Sequence, residues 1–132
     1  MKLIDVQSVD MLYSKLGNRS GMPIKTTYKV LKLFEGIKKD VEFYKEELQK
    51  IVDEYAERNE DGEFVYTENG QGVKIKEGKL DECTEKLDAL AEVEVEVPNI
   101  KFKIDELPDS LSVHDLKLLM PFIEEDEEKE QD

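Results

Sequence analysis

The sequence predicts an α+β fold: a long central helix in an antiparallel helical hairpin, with small antiparallel β-elements. Apolar residues recur at intervals of three and four across 24–57 and 79–91, which is typical of amphipathic helices. Apolar and charged residues alternate strictly across 92–97 and 100–104, which is typical of strands. We expect residues 1–123 to form a single α+β domain and residues 124–132 to form an acidic flexible tail.

The long helix is predicted from Ile24 to Glu57, directly after Pro23, which suits a first helical turn. Gly36 inside it costs roughly 1 kcal/mol relative to Ala, but the apolar phase continues across it. Other parts of the chain can cover its apolar face, or the face can form a homodimer through the long helix as a coiled coil. This face, called the inner stripe below, consists of Val30, Phe34, Ile37, Val41, Tyr44, Leu48, Ile51 and Tyr55.

Shorter helices are predicted on both sides of the long one. A helix is predicted over residues 5–16, with Asp5 as its N-terminal cap. Gly17 is predicted to end it by adopting a left-handed backbone conformation. Residues 79–91 form the second arm of the hairpin, and Cys83 lies on its apolar stripe. Because no histidine or basic residue is placed to lower its pKa, we interpret Cys83 as a buried packing residue.

A last helix is predicted to begin at Ser112, because Ser112 and Asp115 have the spacing of a capping box, and to end before Pro121. His114, the one histidine, falls in its first turn. Zinc sites normally need three or four protein ligands, so we interpret His114 as a surface or capping residue.

Two β-elements are predicted. A hairpin turning at Pro98-Asn99 places Val93, Val95 and Val97 opposite Ile104, Phe102 and Ile100. Proline cannot supply the positive φ that tight hairpins need, so a kinked pair of strands with Met1–Ile4 alongside is the alternative. The turn signals Asp61-Gly62 and Asn69-Gly70 frame a β-ribbon between the two long helical segments.

Residues 57–68 also match the spacing of an EF-hand calcium loop, with Gly62 at its sixth position. Glu rather than Asp stands at the first position, the bulky Phe64 stands at the eighth, and no helix follows. The candidate metal ligands are Glu57, Asn59, Asp61 and Glu68. No other cofactor is predicted.

Charge is unevenly distributed along the chain. Residues 1–50 hold ten Lys and Arg against seven Asp and Glu, a balance of +3, and the remainder holds nine against 26, a balance of −17. An acidic surface repels nucleic acid and anionic membranes, so we expect neither as a direct partner. The lysines of the long helix form a local basic patch or simply its solvated face: Lys25, Lys29, Lys32, Lys38 and Lys39.

Catalytic and targeting motifs are missing from the sequence. It has no Gly-rich phosphate loop, Cys-x-x-Cys, His-Glu-x-x-His or Gly-x-Ser-x-Gly, and one Cys and one His do not make a nucleophile–base pair. We therefore expect a protein that is not an enzyme. A single cysteine and the lack of a long apolar run favour a soluble protein in a reducing compartment.

Four segments resemble a family of small acidic tailed-phage and prophage proteins of unknown function: residues 24–29, 60–62, 90–95 and 118–123. The resemblance implies a phage-related origin, in the bacterial cytoplasm or associated with the virion, and brings no catalytic residues. It favours a non-enzymatic protein-interaction module for assembly or host interaction. The predicted partner contacts are the polar face of the β-unit over 92–104 together with Phe122, Ile123, Glu124 and Glu125.

Two other functions fit the same sequence. One is an acidic inhibitor of a host defence protein that mimics nucleic acid by presenting carboxylates in place of phosphates. The weaker one is a calcium-binding module built on residues 57–68.

Overall fold

A computed structural model of the chain describes residues 1–125, which form five α-helices joined by turns and extended segments. Residues 126–132, most of the predicted acidic tail, lie outside the described residues. The helices are α1 (Leu3–Asp10), α2 (Tyr13–Gly17), α3 (Ile24–Tyr55), α4 (Leu80–Ala91) and α5 (Val113–Leu119), and 3₁₀ turns cover Ile104–Glu106 and Met120–Phe122.

α3 confirms the predicted long helix and ends two residues earlier than expected. Its inner stripe faces α1, α2 and α4 of the same chain. Val30, Ile37, Val41 and Tyr55 are buried, as is Leu33 beside them, whereas the other members are only half-buried: Phe34, Tyr44, Leu48 and Ile51. The stripe is therefore well covered within one chain from Val30 to Val41 and again at Tyr55, and less well covered between them.

Residues 3–17 form two short helices, not the single helix predicted over 5–16. Asp5 lies in the first turn of α1 and does not cap it, because the helix begins earlier, after Lys2. Gly17 is the last residue of α2 and has no positive φ, so the predicted left-handed cap is wrong. Its lack of a side chain serves packing instead, since a Cβ there would lie 3.1 Å from the Tyr13 ring.

α4 confirms the second arm of the antiparallel hairpin. Lys86 in α4 bonds to Glu54 at the end of α3, with Nζ and Oε2 2.9 Å apart. Pro98, just beyond α4, reaches Gly36 near the middle of α3. The two contacts occur in opposite order along the two segments, so α4 and the chain after it run back along α3.

The predicted α+β class is wrong, because the structure is helical. Helix accounts for 56% of the described residues and isolated β-bridges for 8%, and residues 1–125 contain no β-sheet. Each pairing between extended segments is limited to one isolated bridge, so no two of them form a ladder.

The alternating segments 93–97 and 100–104 do not pair with each other as predicted. Glu94 instead forms an antiparallel bridge with Lys2, and Phe102 forms a parallel bridge with Ile123. The kinked pair of strands in the alternative does not form either; only its placement of Met1–Ile4 beside residues 93–95 agrees with the structure. Pro98 explains the lost hairpin, since it cannot adopt the tight turn and its ring packs on Gly36.

Residues 55–76 also lack the predicted β-ribbon. Three backbone amides form a ring of hydrogen bonds: Glu57 donates to Lys74, Lys74 donates to Val65, and Val65 donates to Glu57. Each extended segment thus shares its backbone groups between two neighbours, and pairing stops at single bridges. The two predicted turns are confirmed by the positive φ of Gly62 and Gly70.

The C-terminal part of the described chain closes the core. Ser112 and Asp115 form the predicted capping box at the start of α5. Phe102 and Phe122 are fully buried, and the backbone N–H of Phe102 donates to the carbonyl of Phe122 at 2.7 Å. They join a core that includes Val6, Val9, Leu16, Leu33, Ile37 and Leu119.

The contact between Gly36 and Pro98 generates a prediction about helix stability. A Cβ at position 36 would lie 2.6 Å from Pro98 Cγ. We expect Gly36→Ala to lower the free energy of unfolding by about 1–3 kcal/mol through overpacking, despite the roughly 1 kcal/mol gain in helix propensity. Urea unfolding followed by far-UV circular dichroism measures the change.

The Pro98→Ala background is the matched control, because it removes the clashing Cγ. There, Gly36→Ala should be neutral or stabilising. A stabilising effect of Gly36→Ala in the wild-type background would contradict the packing argument.

Candidate functional site

α3 carries a second apolar stripe on the side opposite the core. Ile24, Tyr28 and Leu31 follow one another at intervals of four and three, so their side chains lie on one face of the helix. They are 80%, 58% and 54% exposed. We call them the outer stripe. Adjacent large apolar side chains left in water are typical of a surface that another molecule covers.

An aromatic hollow adjoins the outer stripe. Tyr13 and Phe34 lie edge to face with ring centroids 5.0 Å apart. They line an open hollow of about 320 Å³, and its other walls mix charges of both signs around Val41: Asp10, Glu35, Lys38, Glu42 and Lys45. Leu31 precedes Phe34 by three residues and Lys38 by seven, so the stripe continues into the hollow. The hollow offers a place for one large apolar side chain.

Lysines border the outer stripe. Lys25, Lys32 and Lys39 are spaced by seven residues, which sets them in one row along α3, and Lys38 lies at the hollow. All four are exposed, and none of them forms an ion pair with another residue of 1–125. Residues 24–39 hold five lysines and a single acidic residue, Glu35. This stretch is therefore positive in a chain of net charge −14.

Glu106 anchors the start of α3 from the opposite side. Its carboxylate accepts hydrogen bonds from Thr26 Oγ1 and Lys29 Nζ, both at 2.7 Å, and from the backbone N–H of Lys103 at 2.8 Å. Arg19 also donates to the Glu106 carbonyl at 3.1 Å. Partial burial alone would raise the pKa of Glu106, but these hydrogen bonds outweigh it and lower the pKa to about 2.

A second ion pair fixes the position of α2. Tyr13, which lines the hollow, is the first residue of that helix. Lys15 Nζ lies 2.7 Å from Asp115 Oδ2, and the backbone N–H of Ser112 donates to the same oxygen. The hydrogen bond from Lys15, together with that from Ser112, lowers the pKa of Asp115. α2 is thus fixed to α5, and the Tyr13 ring is fixed against Phe34.

The calcium-ligand candidates are not gathered into one group. Asn59 Oδ1 accepts the backbone N–H groups of Asp61 and Glu63 inside its own turn. Glu57 lies half-buried in an extended segment, and Glu68 belongs to the next turn. Across residues 1–125, no group of three or more His, Cys, Asp or Glu side chains is arranged to hold a metal ion.

The predicted partner contacts near the C-terminus divide between the core and the surface. Phe122 is 0% exposed, so it was wrongly expected on the surface; its ring is part of the core. Ile123 is half-buried and packs against the same core, whereas Glu124 and Glu125 are exposed. The predicted polar face of the β-unit over 92–104 does not form, because that unit is absent.

The other singled-out residues lie as expected. Cys83 is buried, and burial raises the pKa of its thiol, which keeps it a weak nucleophile. His114 is exposed in the first turn of α5. Among the described helices, none is both long and apolar enough to cross a membrane.

Sequence reasoning missed the outer stripe, although its signal was present. Leu31 and Phe43 are apolar residues of α3 that lie off the inner stripe, and they are 54% and 47% exposed. The intervals from Ile24 to Tyr28 and from Tyr28 to Leu31 are themselves helical and mark a second apolar face. Periodicity alone does not say which of two faces is covered.

Comparisons with protein-family models, with curated proteins and with solved structures find no match for this chain.

The Glu106 anchor predicts a pH-dependent variant. At pH 7 we expect Glu106→Gln to lose about 2 kcal/mol of stability, because Lys29 and Thr26 lose a charged acceptor. A carboxylate with a lowered pKa stabilises the folded state above its unfolded pKa, near 4.5, and loses this effect as pH falls towards about 2. The difference in the free energy of unfolding between wild type and Glu106→Gln should therefore become smaller as the pH falls from about 5 to about 2.

Chemical denaturation at a series of pH values measures this difference. Glu96→Gln, at an exposed position, is the control and should change stability by less than about 0.5 kcal/mol. A difference that stays constant across the acid range would show that ionisation of Glu106 does not stabilise the fold.

Proposed function

We propose that this protein is a non-enzymatic protein-interaction module, and that it binds its partner through the outer stripe of α3 and the adjoining aromatic hollow. The observation that carries the proposal is the exposure of Ile24, Tyr28 and Leu31 on the face of α3 turned away from the core. More than half of each of these side chains is left in water by the chain itself, so the burial of this remaining apolar area is available to drive association.

The surroundings of the stripe support this proposal. An apolar centre edged by charged side chains is the usual arrangement of a protein–protein contact. The surface is also held in place, because Glu106 binds Thr26 and Lys29 on the other side of the helix. A contact surface that is rigid before binding loses less conformational entropy when a partner arrives.

The resemblance to small phage proteins supplies the biological setting of the proposal. We place the protein in the cytoplasm of a bacterial host or in the phage particle, with a role in assembly or in contact with a host protein. Its partner on this view is another protein, and neither nucleic acid nor a membrane binds directly.

A nucleic-acid mimic is the second candidate function, and one observation favours it. Asp81, Glu85 and Asp88 occupy one exposed face of α4, and Glu92 continues this row. Neighbours in this row are about 4.5–6 Å apart along the helix axis. The mimic would use α4, whereas the proposed interaction face lies on α3, so substitutions separate the two.

Site-specific photo-crosslinking tests the proposed function. A crosslinking amino acid is placed at Leu31 in the full chain, which is then expressed in bacterial cells. We expect one dominant crosslinked product, at least about tenfold weaker when Tyr28→Ser is added, because Tyr28 lies one helical turn away.

Crosslinkers at Leu80 and Glu85, both exposed on α4, complete the design. The Leu80 position controls for non-specific capture by an apolar exposed site. A product formed at Glu85 and not at Leu31 would support the mimic and overturn the proposal. Equal products at all three positions, or none at Leu31, would also overturn it.

A further inference from the structure

We infer that the outer stripe and the aromatic hollow bind an acidic amphipathic helix of another protein. This inference rests on the proposed function and names the chemistry of the partner. Three features of the face carry it: the charge of its border, the helical spacing of its apolar side chains and the hollow at one end.

The charge of this face indicates the charge of its partner. Lys25, Lys32 and Lys39 form a row beside the outer stripe, and none of them forms an ion pair within 4.0 Å with a carboxylate of residues 1–125. Other lysines of the chain do have carboxylate partners: Lys15 pairs with Asp115, and Lys29 pairs with Glu106. Unneutralised lysines around an apolar centre match carboxylates around an apolar centre on the partner.

The geometry of the face favours a helix. The outer stripe is a ridge with intervals of four and three, and such ridges fit the grooves of another helix. From Ile24 to Lys38 the face is about 21 Å long, which a partner helix of about 14 residues covers. The hollow beside Tyr13 and Phe34 then receives one large apolar side chain of that helix.

Two other anionic partners fit less well. Phosphates of nucleic acid make use of lysines but not of Ile24, Tyr28 and Leu31, and a chain of net charge −14 repels a polyanion. An anionic membrane meets the same repulsion from the acidic remainder of the chain. A short acidic helix along α3 lies mainly on residues 24–39, which hold five lysines and one acidic residue, so it avoids most of the acidic surface.

Designed peptides test the inference on the full chain. The acidic peptide has about 18 residues, enough to form a helix, with leucines at intervals of three and four and glutamates flanking them. Two matched peptides carry glutamine or lysine in place of every glutamate. Fluorescence anisotropy of labelled peptides gives the Kd, and we expect the acidic peptide to bind at least about tenfold tighter than either matched peptide.

Variants locate the binding surface. Lys25→Gln, Lys32→Gln and Lys39→Gln together should weaken the acidic peptide about tenfold, as should raising the salt concentration from about 0.1 M to about 1 M. Tyr28→Ser with Leu31→Ser should weaken all binding, while leaving the melting temperature unchanged because both side chains are exposed. The control variants, which should bind as the wild type does, are Leu80→Ser and the combined Lys74→Gln, Lys103→Gln and Lys117→Gln.

Several results would overturn the inference. These are equal affinity for the three peptides, binding of none of them, or no effect of the lysine row. Tighter binding to phosphatidylglycerol vesicles or duplex DNA through that row would overturn it too. If the peptides fail while the Leu31 crosslink forms, the acidic-helix inference alone is wrong; if the crosslink is absent, the proposed function is wrong.

Discussion

Burial of the inner stripe of α3 is the constraint on which the rest of the structure depends. A 32-residue helix with one apolar face is unstable alone in water, and each large side chain it buries contributes about 1.5–3 kcal/mol. α1, α2 and α4 pack on that face, and Phe102 and Phe122 close the core. The positions of these packed helices and side chains limit the paths that the remaining segments can follow.

Two carboxylates hold distant segments of this chain together, a role that a β-sheet has in other folds. Glu106 holds the turn at 104–106 against Thr26 and Lys29. Asp115 joins the start of α5 to Lys15 of α2. A carboxylate with several donors is a strong anchor, and losing one partner leaves a charge poorly solvated. Segments separated by 77–100 residues in sequence are thereby held together without a ladder.

The same helix therefore has two faces with different roles. One face is satisfied inside the chain, and the other presents Ile24, Tyr28 and Leu31 to solvent beside a row of lysines. The positive charge of this half stands apart from the acidic remainder of the chain. In the proposed contact, this segregation of charge attracts an acidic partner towards α3 and repels it from the acidic remainder of the chain.

Local patterns were sufficient for the features that depend on near neighbours in sequence. Apolar spacing predicted α3 and α4, the capping box at Ser112 and Asp115 predicted α5, and Asp61-Gly62 and Asn69-Gly70 predicted their turns. The burial of Cys83 followed from its place on the α4 stripe. These features arise within a few residues, where helix periodicity and turn preferences act.

The tertiary structure decided which surfaces meet. Alternation in 93–97 and 100–104 showed that these segments are extended, but not that they pair with Met1–Leu3 and Phe122–Glu124 in place of each other. The packing of Pro98 on Gly36 determined that outcome. Burial of Phe122 and exposure of Tyr28 likewise depend on which partners arrive from distant parts of the chain. The sequence by itself determined which faces are apolar; only the folded chain decided which of them are covered, because coverage is a long-range property.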